Sequence, residues 1–129
     1  MAGMADRFTK ALQETEAARD PAPLLALFSD DCELSNLALT ESGPDGARRF
    51  WDTYLAQFDA IRSEFSHRIE SGDQVALAWT SEGTLKGGHP IRYRGVSLLE
   101  VAGGRVRRFE TVYDSAAFLR PEPGASTDG

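Results

Sequence analysis

The residues of this 129-residue chain whose types and spacing suit chemistry near neutral pH are two histidines, one cysteine and a series of hydroxyls at alternating positions. Between Ile61 and Glu70 the odd positions are Ile61, Ser63, Phe65, His67 and Ile69, and the even ones are Arg62, Glu64, Ser66, Arg68 and Glu70. That alternation describes a half-buried strand with His67 on its buried side. His67 is then the inward group able to exchange protons near neutral pH. Two roles are open to it: acid or base toward a bound molecule, or a core histidine satisfied by a hydroxyl such as Ser63. Asn36 either holds a substrate carbonyl or a water, or ties down a strand end, because a buried amide needs partners in both cases. Tyr93 and Tyr113 either donate hydrogen bonds to an enolate or leaving oxygen, or line a wall with their rings. His89, beside Gly87, Gly88 and Pro90, reads as a solvated loop residue.

These side chains need elements to position them. Ile91 to Asp114 alternates bulky and polar residues and is interrupted once by Gly103-Gly104, the pattern of a β-hairpin. One parity places Ile91, Tyr93, Gly95, Ser97 and Leu99, then Phe109, Thr111 and Tyr113, on one face. Val75, Leu77, Trp79 and Ser81 share a face on the preceding strand, and Cys32, Leu34 and Asn36 do so on an earlier one. The inward polar set of the strands is Asn36, Ser63, His67, Ser81, Tyr93, Ser97, Thr111 and Tyr113, and it contains no carboxylate. Glu82, Glu100, Glu110 and Asp114 have the opposite parity and reach inward only through a bulge or from the rim.

Three helices precede most of these strands. Phe8, Ala11, Leu12 and Thr15 recur at helical spacing within Ala5 to Arg19. Asp20-Pro21 opens a second, short helix carrying Leu24, Leu25, Leu27 and Phe28. Ser42 to Asp45 starts a third, whose stripe is Ala47, Phe50, Trp51, Tyr54, Leu55 and Phe58. That stripe reads as core packing, with Trp51, Tyr54 or Phe58 alternatively forming one wall of a ligand pocket. Helices segregated from an antiparallel sheet make the fold α+β, with three N-terminal helices packed on a strongly bent, mostly antiparallel sheet. A mostly apolar cone between them is a common form of small-molecule site. Residues 1–119 read as a single domain and 120–129, RPEPGASTDG from Arg120 on, as a disordered tail.

Bulk properties narrow the function. A net charge of -6 and a pI near 4.9 argue against nucleic acid. The single Cys32 excludes an internal disulfide, and two distant histidines give no metal-ligand spacing. Gly83 to Gly88 lacks a phosphate-loop lysine and opens no helix. The N-terminus carries no apolar run of a signal peptide or membrane span, so the expected location is the cytoplasm. Arg105, Arg107 and Arg108 form a basic cluster near the hairpin turn, read as a solvated edge. Val96, Leu98, Val106 and Val112 are expected on the outer sheet face, where a two-fold homodimer would cover them.

The segments LLALFSDDCELSN, GARRFWDTYLAQF and GGRVRRFETVYDSAAF resemble the nuclear transport factor 2-like superfamily, in particular its SnoaL-like branch, over roughly Phe8 to Phe118. That branch includes polyketide cyclases, ketosteroid isomerase and limonene epoxide hydrolase. The resemblance implies a cone-shaped α+β barrel. It does not carry over the best-defined active sites. The ketosteroid isomerase tyrosine and carboxylate fall on Leu12 and Asn36. The epoxide hydrolase set falls on Leu34, Asn36, Trp79, Ser81 and Thr111, of which Asn36 alone matches. The function expected from the resemblance is cofactor-free isomerisation, cyclisation or hydration and dehydration of a small apolar or polyketide-like molecule. Its catalytic residues would be His67, Asn36 and Tyr93. Leu34, Trp51, Tyr54, Trp79, Ser81, Ser97, Phe109, Thr111 and Tyr113 would bind the substrate. The alternative is a non-catalytic ligand-binding or dimeric assembly module, to which the missing inward carboxylate points.

Overall fold

A computed structural model describes residues 3–119; the expected tail, 120–129, lies outside them. The elements are α1 (Met4–Ala18), α2 (Ala22–Leu25), β1 (Phe28–Ser35), β2 (Thr40–Ser42), α3 (Gly43–Ala56), β3 (Phe58–Ser71), β4 (Gln74–Leu85), β5 (Pro90–Ala102) and β6 (Arg105–Tyr113), followed by a 3-10 turn, Ser115–Phe118. The strands form one sheet in the order β2-β1-β6-β5-β4-β3. All neighbours are antiparallel except β1 and β6, which run parallel. The sheet stays open, with β2 and β3 at its edges, so the cone is a folded sheet roofed by helices and not a closed barrel. No helix among the described residues is long and apolar enough to cross a membrane.

Two element boundaries differ from the pattern in the sequence. Phe28 begins β1 and does not end α2, and Phe58 begins β3 and does not continue α3. Both are fully buried aromatics at a junction, where an apolar residue fits either period. The β5–β6 hairpin forms as expected, with Gly103 and Gly104 both at positive φ, the requirement of a type I′ turn.

Register fixes which side chains meet. Ser63, Ser81 and Tyr93 lie in one cross-strand row, and Phe65, Trp79, Gly95 and Tyr113 in the next. Between Phe65 and His67 the β3–β4 ladder shifts by one residue, so that Phe65 pairs with Trp79 but His67 with Ala78. This bulge at Ser66 reverses the parity of the rest of β3. A second shift, after Glu100, leaves Arg107 as the extra residue of β6. It turns Val106 into the core, fully buried, whereas Val96, Leu98 and Val112 stay exposed on the convex face. The expectation that Val106 shares that face is corrected by this bulge.

The core consists of two clusters. One packs Phe8 of α1, Phe28 of β1, Phe50 and Trp51 of α3 and Phe109 of β6 with ring centroids 5.2–6.4 Å apart. The other gathers Phe58, Ile61, Trp79, Ile91 and Tyr93 under the 3-10 turn. Helix α1 is pinned at both ends. The Glu70 carboxylate, carried inward by the Ser66 bulge, accepts from the N–H groups of Met4 and Ala5 at 3.3 and 3.0 Å, the favourable sign at a helix N-terminus. At the other end the Arg19 guanidinium donates to the carbonyls of Leu55, Phe58 and Asp59 at 3.1, 2.7 and 3.2 Å, closing the C-terminal end of α3.

Candidate functional site

A cavity opens between the two aromatic clusters. Its walls are Phe8 and Leu12 of α1, Phe50, Trp51, Thr53 and Tyr54 of α3, Phe65, Trp79, Ser81, Tyr93, Ser97, Phe109, Thr111 and Tyr113 of the sheet, and Phe118 of the 3-10 turn; Ser63, Asn36, Leu39 and Gln57 complete them. It holds about 60 Å³, where one water needs ~10–15 Å³ on the same measure. The lining is mostly apolar with a few grouped hydroxyls, as in pockets that hold small molecules.

The hydroxyls converge on a carboxylate that the strands do not supply. Glu16, in the last turns of α1, is 4% exposed. It accepts from the Tyr54 hydroxyl at 2.6 Å, the Ser63 hydroxyl at 2.6 Å and the Ser63 N–H at 2.8 Å. Ser63 Oγ lies in turn 2.6 Å from Ser81 Oγ, and Tyr93 is the cross-strand partner of Ser81 on the same face. The partners of Glu16 are neutral donors, with no cation among them. Burial raises its carboxyl above the usual range, and the hydrogen bonds from Ser63 and Tyr54 offset this only in part. Burial, followed by the proximity of Tyr93 and Glu16, pushes the Tyr54 phenol well up. Tyr93 is raised for the same first reason, then by Tyr113 and Glu16. Both phenols therefore stay protonated and act as hydrogen-bond donors. Glu16 itself stands behind Tyr54 and Ser63, reaching the cavity through them.

A second polar chain is fixed further along the same sheet face. The Trp79 indole N–H donates to Ser97 Oγ at 3.0 Å, and Ser97 pairs with Thr111 Oγ1 at 3.0 Å. Trp79 lies flat over Gly95: a β-carbon there would come within 2.6 Å of its ring. Asn36 lines the cavity, but its Oδ1 accepts from the N–H groups of Ala38 and Leu39 at 2.8 and 2.9 Å, bracing the β1–β2 loop. Its amide nitrogen is the group left for a ligand. The indole N–H of Trp51 is buried without a partner.

Of the sequence-derived candidates, Asn36, Tyr93, Trp51, Tyr54, Trp79, Ser81, Ser97, Phe109, Thr111 and Tyr113 share this cavity. Two do not. His67 is exposed on the convex face, its Nδ1 3.1 Å from the Ser66 hydroxyl, because the bulge at Ser66 turns it outward. Leu34 is fully buried in the helix-side core and touches no part of the cavity. Glu110 is exposed opposite Leu98, on the convex side. No carboxylate of the strands lines the cavity; the buried carboxylate behind its wall, Glu16, comes from helix α1, which the strand parity does not cover. Its signal was present: Phe8, Leu12 and Glu16 recur at i, i+4, i+8, so Glu16 continues the buried stripe of α1. Among the described residues, no three His, Cys, Asp or Glu side chains converge to hold a metal ion.

Solved structures share this architecture at low identity. An NTF2-like protein of unknown function from Burkholderia pseudomallei K96243 superposes with a TM-score of 0.80 at 21% identity, covering 91% of this chain and 95% of its own. TerC, crystallised with polyporic acid, gives 0.78 at 22%, covering 91% and 96%. A protein from Jannaschia sp. CCS1, assigned as a SnoaL-like polyketide cyclase, gives 0.78 at 14%, covering 91% and 90%. Comparison with curated proteins finds no match. The SnoaL-like domain profile matches residues 6–109, and with this match over an open cone roofed by helices, the chain belongs to the SnoaL-like domain family.

Proposed function

We propose that this protein is a cofactor-free enzyme that moves protons on a small, mostly apolar, oxygen-bearing molecule held in the cone, as an isomerase, cyclase or hydratase does. The observation that carries this reading is the cation-free, buried Glu16 joined by short hydroxyl contacts to the cavity wall. A substrate proton passing to Ser81 Oγ is matched by transfer of the Ser81 proton to Ser63 and of the Ser63 proton to Glu16. The reverse sequence returns a proton to another substrate atom. A carboxyl raised by burial suits this work, because a base whose pKa approaches the working pH is both available and strong enough. Tyr93 and the Asn36 amide nitrogen would orient the substrate oxygen. TerC, with polyporic acid, supports the view that a cone of this fold admits organic molecules. A cytoplasmic location belongs to the same reading, supported by the free, buried Cys32.

The test uses nitrobenzisoxazole, a general-base probe: removal of its ring C–H proton breaks the N–O bond and releases a coloured cyanonitrophenolate. The wild-type protein should accelerate ring opening over buffer, with a rate that rises with pH through a midpoint above the ordinary carboxylate range. Glu16→Gln should lose at least about tenfold of that acceleration, and His67→Ala none. Wild-type rates equal to buffer would refute the enzymatic reading. They would favour the second one, a ligand-binding module, to which the position of Glu16 behind the cavity wall also points.

A further inference from the structure

We infer that the ligand of this cavity presents a hydroxyl that donates its hydrogen to Ser81 in the deep wall, so that the site selects a phenol or enol over a carbonyl compound of the same size. The inference concerns the same site as the proposed function and names its ligand class. It follows from counting hydrogens. Each hydroxyl has one hydrogen to give and can accept more than one. With Glu16 ionised, the Tyr54 and Ser63 hydrogens are both committed to the carboxylate, at 2.6 Å each. The 2.6 Å contact between Ser63 and Ser81 can then be made in one direction only, with Ser81 donating. Tyr93, the cross-strand partner of Ser81, presents its protonated phenol on the same wall of the cavity. The hydrogens of Tyr54, Ser63 and Ser81 are thereby pointed toward Glu16, and the Ser81 oxygen offers the cavity only lone pairs.

Burial places these acceptors at the closed end. Ser63 and Ser81 are 2% and 1% exposed and Tyr93 6%, whereas Asn36 and Tyr113 are half-buried and Gln57 is exposed. A carbonyl oxygen pushed into the deep wall could take the Tyr93 hydrogen but would meet lone pairs at Ser81 and leave that buried oxygen without a donor, at the cost of a desolvated polar group. A hydroxyl there completes the chain, and its aromatic body lies between Trp79 and Phe109. The unpartnered Trp51 N–H belongs to the α3 wall and serves an acceptor elsewhere on the ligand; it does not change the direction of the Ser81 contact.

Binding is measured through tryptophan fluorescence with para-ethylphenol and para-methylacetophenone, at about pH 8.5, above the carboxylate range and below that of a phenol at about 10. The wild-type protein should bind the phenol about tenfold more tightly than the ketone, the weight of one well-made hydrogen bond. In Glu16→Gln the side-chain N–H groups reverse the direction of the chain, and the preference should fall about tenfold. Ser81→Ala, which leaves the Glu16 contacts with Tyr54 and Ser63 in place, should remove it as well. Equal affinities in the wild type, no binding of either compound, or a preference untouched in both variants would overturn the inference. The two ideas separate cleanly: a phenol preference without nitrobenzisoxazole turnover defeats the enzymatic reading alone, and turnover without the preference defeats the ligand class alone.

Discussion

Replacing Glu16 by glutamine tests whether a buried carboxylate is held in the cone against its own preference. Its pKa is raised because burial penalises the charged form by more than the Ser63 and Tyr54 hydrogen bonds favour it. A carboxyl whose folded pKa lies above its unfolded one binds protons more tightly in the folded protein. Its stability contribution is therefore greatest below the unfolded value, near 4.5, and is lost as pH rises through the folded value. The loss is about 1.4 kcal/mol for each unit by which the two differ. Glutamine has the same shape and does not titrate, so Glu16→Gln should gain on the wild type between pH 5 and pH 8, while other groups cancel in the comparison. Glu16→Ala bounds the hydrogen-bonding side. The Ser63 hydroxyl can turn toward Ser81, but the Ser63 N–H cannot turn. Its orphaning together with the void left behind should cost about 2–4 kcal/mol. Urea unfolding of the three proteins at several pH values in this window measures both. A wild-type-to-Gln difference that does not change with pH, or that moves in favour of the wild type as pH rises, would refute the argument.

Two further outcomes follow from the sheet. Gly95→Ala puts a β-carbon 2.6–2.8 Å from the Trp79 ring and against the Val112 carbonyl; it should cost about 2–3 kcal/mol and alter the near-ultraviolet signal of tryptophan, and an unchanged melting curve would contradict the packing described. On the convex face, Ile69, Val96, Leu98 and Val112 are exposed together, flanked by the opposite-charge pairs Arg62–Glu64 and Arg92–Glu82. Such a patch is self-complementary about a two-fold axis, and we propose a second copy of this chain as its cover. Sedimentation should give a dimer that Leu98→Glu converts to monomer; a monomeric wild type would exclude it.

Much of the fold was legible in the sequence because period and turn chemistry agreed over long stretches. The β5–β6 hairpin followed from alternation and Gly103-Gly104, and its parity put Tyr93, Ser97, Thr111 and Tyr113 on the cavity side. The site was less legible, for two physical reasons. Alternation carries no mark of an inserted residue, so the bulge at Ser66 was invisible, and one position decided whether His67 or its neighbour faced inward. The inventory of inward groups also ran along strands alone, and the carboxylate came from a helix. Glu16 looked like part of the charged face of α1, although its spacing from Phe8 and Leu12 placed it on the buried stripe. Leu34 was assigned to the cavity by correct parity, but depth along the strand, which parity does not encode, put it in the core.

The anchoring of α1 bears on where the molecule opens. Glu70 holds its first turn to β3, Glu16 joins it to the middle of the same strand through Ser63, and Arg19 clasps the end of α3. Helix and edge strand are thus tied to each other, and the amides of α1 and those of β3 bonded to β4 should exchange with solvent only when much of the domain unfolds. The 3-10 turn bearing Phe118 is held in another way: the Asp114 side chain caps it through Ala116, the Asp114 N–H donates to the Arg94 carbonyl, and ring contacts with Phe58, Tyr93 and Tyr113 hold it down. The Phe118 side of the cone is thus held by ring packing, and the Glu16 side by hydrogen bonds to a helix and a strand.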